Sequence, residues 1–144
     1  MEIKKVNSSD ELLNCTEVIH ELRPHLKGKN LVALFKQMQT EKFEIAVVEM
    51  NNKVVAFIGF RYLTFLYSGK TLYIDDLCTL PAYRGKGCAS KLLDYALQEA
   101  TKNNIDAVTL DSGYHRHKAH QLYLNKGFIL GSHHFHLQLT SHEL

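Results

Sequence analysis

TLPAYRGKGCASKLLDYALQEA, Thr79–Ala100, is the stretch on which the fold turns. Pro81 opens a turn and a basic, glycine-bearing loop follows. Leu92, Leu93, Ala96, Leu97 and Ala100 then recur at the spacing of one helix face. Within RGKGCA (Arg84, Gly85, Lys86, Gly87, Cys88, Ala89) the two glycines let the chain turn tightly and leave its backbone bare. Successive N–H groups can then converge beside the positive end of the helix dipole, with Arg84 and Lys86 adding charge. That arrangement suits phosphate or pyrophosphate. Two familiar phosphate motifs do not fit. GxxxxGK[ST] is absent, and the spacing is R-x-x-G-x-A after several strands rather than GxGxxG near the chain's start.

Outward from this stretch the periodicity alternates between 2 and 3.6. Glu2–Asn7 reads as a first strand. SSDELLNCTEVIHELRPHL (Ser8–Leu26) reads as one helix, capped by Ser9 or Asp10, carrying the stripe Leu12, Leu13, Val18, Ile19 and Leu22, and ended by Pro24. A second helix is predicted from about Asn30 to Thr40. FEIAVVEM, VVAFIGFRYLTFL and TLYIDDLCTL are three strands joined by the turns NNK and SGK. After the helix that follows the basic loop come a strand at DAVTLDS, a helix at HKAHQLYLNKGF and a last strand at HHFHLQL (His133–Leu139). The order β-α-α-β-β-β-α-β-α-β predicts an α/β fold, a mixed central sheet with helices on both faces. No repeat or linker interrupts it, so residues 1–144 are expected to form one domain.

Composition narrows the function. A net charge of +2 with no basic stripe argues against nucleic acid. The longest apolar run, Val54–Phe60, is too short to span a bilayer, so no membrane partner is expected. Three cysteines without framework spacing read as free thiols in a reducing compartment. With Met1 leading directly into EIKKV, the expected location is the cytoplasm. Nine histidines include two clusters, at 115–120 and 133–136, but no Cys or carboxylate stands among them at ligand spacing, so no metal is predicted.

YIDDLCTLPAYRGKGCASKLL and AHQLYLNKGF together resemble the GNAT N-acetyltransferases. The first looks like the family's acetyl-CoA motif after an acidic strand, and the second like its A-x-x-x-Y-x-x-x-G-F helix and turn. Nearly the whole chain is covered. LYIDDL is similar to the polyamine acetyltransferases, and DSGYHRHKAHQLYLNKGF to aminoalkylphosphonate acetyltransferases. The chain departs from the common pattern at Arg116, where the family usually has asparagine, and at Thr79, where a valine is frequent.

The resemblance implies a GNAT-like sheet and acetyl-CoA as cosubstrate. The backbone of Arg84 through Ala89 would cradle the pyrophosphate. Leu77, Cys78 and Thr79 would pair with the pantetheine arm as an added strand does, and the N–H of Thr79 or a neighbour would polarise the thioester carbonyl. Tyr123 would protonate the departing thiolate, although Ala119, Leu122 and Tyr123 also share a helix face and fit a core role. A protonated amine must lose a proton before it attacks, and Asp75 and Asp76 are the carboxylates available. The resemblance favours Asp75 as base, with Asp76 second or binding the amine. Neighbours on a strand point to opposite faces unless a bulge intervenes. Glu21, Arg23 and His25 lie where the acceptor-side helices lie. Cys78 and Cys88 read as small buried side chains.

The expected activity is transfer of acetyl to a primary amine of a small molecule, directly, in a ternary complex. The alternative is a non-catalytic acyl-CoA sensor on the same fold. The long apolar strand and HHFHLQL are candidates for a homodimer seam.

Overall fold

In the computed structural model, which describes residues 1–141, alternating and helical patterns sort onto two faces of one sheet. The elements are β1 (Glu2–Lys5), α1 (Ser9–Leu13), α2 (Thr16–Leu22), α3 (Leu31–Gln39), β2 (Phe43–Met50), β3 (Lys53–Phe65), β4 (Gly69–Thr79), α4 (Cys88–Lys102), β5 (Ala107–Leu110) and α5 (His117–Asn125). The sheet runs β1-β2-β3-β4-β5. The first three pairings are antiparallel and β4–β5 is parallel. Along β2, Phe43, Ile45 and Val47 pack toward α1, α2 and α3, while Ala46 and Val48 pack toward α4. Each large apolar side chain fully buried in these layers, Phe57, Ile58, Leu72 and Leu92 among them, contributes roughly 1.5–3 kcal/mol.

The sequence expectation for the first helix needs two corrections. The cap is Ser8, whose hydroxyl accepts from Glu11 N–H at 3.1 Å, while Glu11 reaches back to accept from Asn7 N–H at 3.1 Å, as in a capping box. The helix is also broken in two at Asn14–Cys15. Leu12, Cys15, Val18 and Ile19 are buried across the two pieces, and Leu13 is half exposed.

Two features of β4 shape everything near the loop. Against β3 its register reads Ile58↔Leu77, Gly59↔Asp76 and then Phe60↔Ile74, so Asp75 is an extra residue, a β-bulge. Ile74 and Leu77 therefore both pack on the α4 side. Asp75 and Asp76 both face the α2 side, along with Cys78. The second feature is Gly59, opposite the bulge. A Cβ there would lie 2.5 Å from Phe43 Cζ. The Phe43 ring is 5% exposed, packs edge-on to Phe35 at 6.3 Å and carries the Arg61 guanidinium 5.4 Å from its centroid.

The strand predicted at His133–Leu139 does not form: residues 128–140 carry no helix or strand. Alternation alone does not make a strand. β5 has four residues and β4 takes one of its edges. Among the described residues the segment finds no ladder, and it stays in water, with Phe135 92% exposed.

Gly59→Ala is expected to destabilise the chain by about 1–3 kcal/mol, as overpacking does, read by urea unfolding. An unchanged midpoint would show that Phe43 has room to yield.

Candidate active site

At the bulge β4 parts from β5. Its parallel ladder runs only from Thr71↔Ala107 to Ile74↔Leu110, while pairing with β3 continues to Ala56↔Thr79. From Asp75 to Thr79 the outer edge of β4 has no strand beside it among the described residues. Leu80 N–H donates to Val55 O at 2.8 Å. The alternation of an antiparallel ladder then turns the peptide groups of Leu77 and Thr79 outward and those of Cys78 toward β3. Thr79 O accepts from Arg84 Nε at 3.3 Å. Of the three edge residues read from the sequence, Leu77 and Thr79 thus offer backbone groups to the gap, and Cys78 supplies a buried side chain.

The edge runs through a turn at Pro81–Tyr83 into the basic loop. Gly85 and Gly87 adopt φ of +76° and +85°, and nothing lies within 4 Å of where a Cβ would stand on either. That is an open concavity only glycine leaves unstrained. Gly87 caps α4 without any side-chain bond, and the first helical bond recorded at this end is Lys91 N–H to Gly87 O, 3.0 Å. The amides of Cys88, Ala89 and Ser90 therefore precede the helical ladder, at the positive end of a fifteen-residue helix. The two cations of the loop stand aside from it. Arg84 leans on Glu21 at 3.6 Å, and Lys86 Nζ sits 5.6 Å from the Tyr83 ring centroid.

Both acids are tied to arginines. Asp76 Oδ1 accepts from Arg23 Nε at 3.0 Å and from its Nη2 at 2.5 Å, and no hydrogen bond reaches Oδ2 among the described residues. Asp75 is held by a two-pronged clamp: Arg61 Nε to Oδ1 at 3.0 Å and Nη2 to Oδ2 at 2.6 Å. Arg61 Nη1 reaches Glu41 as well. Burial pushes the Asp75 carboxyl above the usual carboxylate range, Arg61 opposes that, and Asp76 adds to it. Tyr73, two residues before Asp75, donates to Asp111 Oδ2 at 2.7 Å. Its phenol is pushed up by burial and by that carboxylate.

Tyr123 comes from the opposite side. It packs with the α4-side cluster and stands edge-on to Phe128 at 6.0 Å. Burial raises its phenol and the Arg116 charge opposes the rise, so the hydroxyl stays protonated at neutral pH. The Cys78 thiol, raised by burial, feels the charges of Arg84, Glu21, Arg116 and Asp76. The loop, the end of α2 and the bulged strand meet at one place, since Arg84 reaches Glu21 and Thr79 O and Arg23 reaches Asp76. Cys88 is also raised by burial, and Cys15 is pushed up to about 12 by burial beside Glu11 and Glu49. None of the three thiols is set up as a nucleophile.

Sequence reasoning missed several residues here. Arg61 and Tyr73 lie in strands that read as plain core, and Asp111 lies at a strand end. Two buried polar atoms have no partner among the described residues, Ser112 Oγ just past β5 and His20 Nε2 on α2. Unpaired buried groups of this kind are costly to leave empty-handed. No signal in the sequence marks them. The histidines pair only as ring contacts, His117 with His120 at 6.2 Å and His134 with His136 at 6.4 Å. Among the described residues no three His, Cys, Asp or Glu side chains group as a metal would require. No described helix is long and apolar enough to cross a membrane.

A bare-backbone loop at the mouth of a helix, reached along a strand edge that is unpaired among the described residues, has the geometry that suits an extended, phosphate-bearing ligand. Comparison with known proteins makes the class specific. Residues 12–128 match the model of the acetyltransferase (GNAT) family. The chain is 32% identical to the protein named Uncharacterized N-acetyltransferase YhdJ of Bacillus subtilis (strain 168), over 92% of this chain and 95% of that one. It is 30% identical over 79 residues to the aminoalkylphosphonate N-acetyltransferase of Salmonella typhimurium, 54% of this chain and 51% of that one. The fold superposes on a putative acetyltransferase from Agrobacterium tumefaciens with a TM-score of 0.82 at 24% identity, covering 96% and 99% of the two chains. The chain belongs to the GNAT family and is an N-acetyltransferase.

Asp75 holds its proton more tightly in the folded chain than in the unfolded one, so ionising it works against folding. Its contribution is full below about pH 4 and is lost as pH rises through the folded value. Arg61 limits that loss. Arg61→Leu is expected to cost about 1–3 kcal/mol at pH 7, less near pH 4, with partial recovery in the double variant carrying Asp75→Asn. Unfolding curves at both pH values check this; an equal loss at both would assign Arg61's role to packing on Phe43.

Proposed function

We propose that the chain transfers acetyl from acetyl-CoA to the primary amine of a small molecule, directly, within a ternary complex. The observation that carries this reading is the continuity of an unpaired β4 edge with an uncapped α4 N-terminus. Together they offer a row of peptide groups followed by a phosphate cradle. The amides of Gly85 through Ala89 hold the pyrophosphate, with Arg84 and Lys86 lending positive field. Leu77 and Thr79 bond the pantetheine amides, and Cys78 supports the strand from its buried side. The Thr79 N–H, or a neighbouring one, stabilises the oxyanion of the tetrahedral intermediate.

Tyr123 donates the proton that the coenzyme thiolate takes as it leaves. On the α2 side a carboxylate accepts the proton that the ammonium must lose. The sequence reading favoured Asp75, but both of its oxygens are engaged by Arg61. Asp76 keeps one oxygen without a partner among the described residues, so we assign Asp76 the binding and deprotonation of the amine and Asp75 the task of anchoring Arg61. The likeness to an aminoalkylphosphonate N-acetyltransferase supports a small acceptor over a protein terminus. Residues 1–144 act as one acetyltransferase domain in this reading. Three buried thiols, none in a disulfide, are consistent with a cytoplasmic setting.

The test is thiol release from acetyl-CoA against a panel of polyamines, aminoalkylphosphonates, aminoglycosides, amino acids and peptides. Turnover with a small amine is the expected result. Silence across the panel, with acetyl-CoA still raising the melting temperature, would shift the reading to a non-catalytic acyl-CoA sensor. With an acceptor in hand, Tyr123→Phe and Asp76→Asn are each expected to lower kcat by about 10²-fold or more. Asp76→Asn should also regain rate at high pH, where more of the amine is already neutral, whereas Tyr123→Phe should not. Unchanged turnover in both variants would remove these two assignments.

A further inference from the structure

Lys42 stands where a lysine is a poor choice. Four described residues other than glycine adopt positive φ: Asn51, Asn52, Asn104 and Lys42, the last at 63°. Asparagine tolerates this left-handed backbone because its short amide can bond the local chain. Lysine has no such bond to make and bears the steric cost of its Cβ. The turn itself has no use for the ammonium. The carbonyls at the end of α3 that a cation would answer are already taken. Thr40, Glu41 and Lys42 N–H donate to Gln37 O, Met38 O and Gln39 O at 3.2, 2.9 and 3.1 Å. The nearby carboxylates are engaged as well, Glu41 with Arg61 and Gln37 and Glu44 with Lys5 at 3.3 Å. The Lys42 ammonium has no partner among the described residues. Residues held in such backbone conformations cluster where a chain binds something.

Lys42 lines a cavity of about 540 Å³, at the place where β1 ends, β2 begins and α3 turns back to the sheet. That volume suits a small molecule. β1 stops at Lys5↔Ala46, so the first residues of β2 run on beyond it and leave a notch at the end of the sheet. Val6, Phe35 and Phe43, all buried, form the apolar wall. Lys5, Lys42, Asn7 and Gln39 supply polar groups, and Glu44 is the one carboxylate of the lining. None of these residues belongs to the β4 edge, the basic loop or the acidic pair.

We propose that this cavity binds a small organic monoanion, a carboxylate carried on an aromatic or branched apolar body. The carboxylate meets the Lys42 ammonium, with Lys5 beside it, and the body lies against Phe35 and Phe43. Two cations against one carboxylate leave the lining one charge positive, which matches a single negative charge. A phosphate dianion is better served by guanidinium forks or a nest of N–H groups, and the chain keeps its nest at residues 85–89. An amine would find Glu44 already paired. The site is independent of the acetyl-transfer roles assigned above.

Two-dimensional ¹H–¹⁵N NMR on the full chain tests this, with benzoate as the probe at up to about 20 mM, the range a ligand of so few atoms requires. Saturable shifts are expected at the amides of residues 5–7 and 39–44. Benzamide, the neutral isostere, and inorganic phosphate, which lacks the apolar body, should leave those amides unmoved at equal concentration. Lys42→Asn installs the residue that the other positive-φ positions use. It is expected to melt at or above the parent temperature and to bind benzoate at least about tenfold more weakly. Absence of these shifts at the highest concentration overturns the proposal, as do shifts of equal size with benzamide or phosphate and a benzoate affinity that Lys42→Asn leaves unchanged. Shifts confined to residues 75–89 do so too, by placing the anion in the coenzyme groove. A Lys42→Asn chain that melts below the parent would give the lysine a structural task and overturn it as well.

Discussion

One extra residue in β4 governs the site. Inserting Asp75 between the pairs Phe60↔Ile74 and Gly59↔Asp76 matters in two ways. It breaks strict alternation, so two adjacent acids share the α2 face instead of dividing between faces. It also coincides with the end of the β4–β5 ladder, at Ile74↔Leu110, beyond which the next five residues of β4 have no strand on that side among the described residues. The acidic pair and the bare strand edge meet at the same backbone irregularity. Gly59 is its counterpart on β3, because any side chain there meets the Phe43 ring, with Asp76 Oδ2 next nearest at 3.6 Å.

Two carboxylates on one half-buried face repel each other, and the structure answers with two guanidinium groups. Arg61 comes from β3 and Arg23 from the end of α2. The Arg23 Nη2 also reaches Asp75 O at 3.4 Å, which ties the bulge's own backbone to the helix before it. The acid cluster is thereby close to neutral, and the positive potential is left to the loop. There the charge comes chiefly from peptide dipoles, since Arg84 is engaged with Glu21 and Thr79 O and Lys86 lies against Tyr83. Amides fixed by two glycines of positive φ cost no reorganisation when an anion arrives, and lysines on flexible stems do.

The legibility of these features follows their range along the chain. The basic loop was readable because its chemistry is local: two glycines, a helix stripe and a turn within some twenty residues. The strands and turns from Phe43 to Thr79 were readable for the same reason, with Asn51 and Asn52 at positive φ in the first hairpin. The shared face of Asp75 and Asp76 was not, because a bulge is a relation between β3 and β4 and leaves no mark in either alone. The break at Asn14–Cys15 was hidden because Leu13 fits a helical stripe as well as Leu12 does. HHFHLQL was misread for a deeper reason. Its alternation records what its side chains are fit to bury, whereas a ladder also needs an edge within reach, and no edge among the described residues takes it.

The two groups assigned to move protons reach the site from opposite faces. Asp76 stands on the α2 side with the Arg23 clamp, and Tyr123 packs with the α4-side cluster. A continuous sheet would keep them apart, since its hydrogen-bonded strands leave no passage between faces. Only where β4 and β5 separate can one ligand touch both. An amine entering from the α2 side and a thioester lying along the β4 edge would meet in that gap, the amine near a carboxylate and the sulfur near a phenol held protonated by burial. On the proposed assignment the bulge does more than aim two side chains, because it lies where β4 and β5 part and a base and an acid from different layers can serve a single reaction.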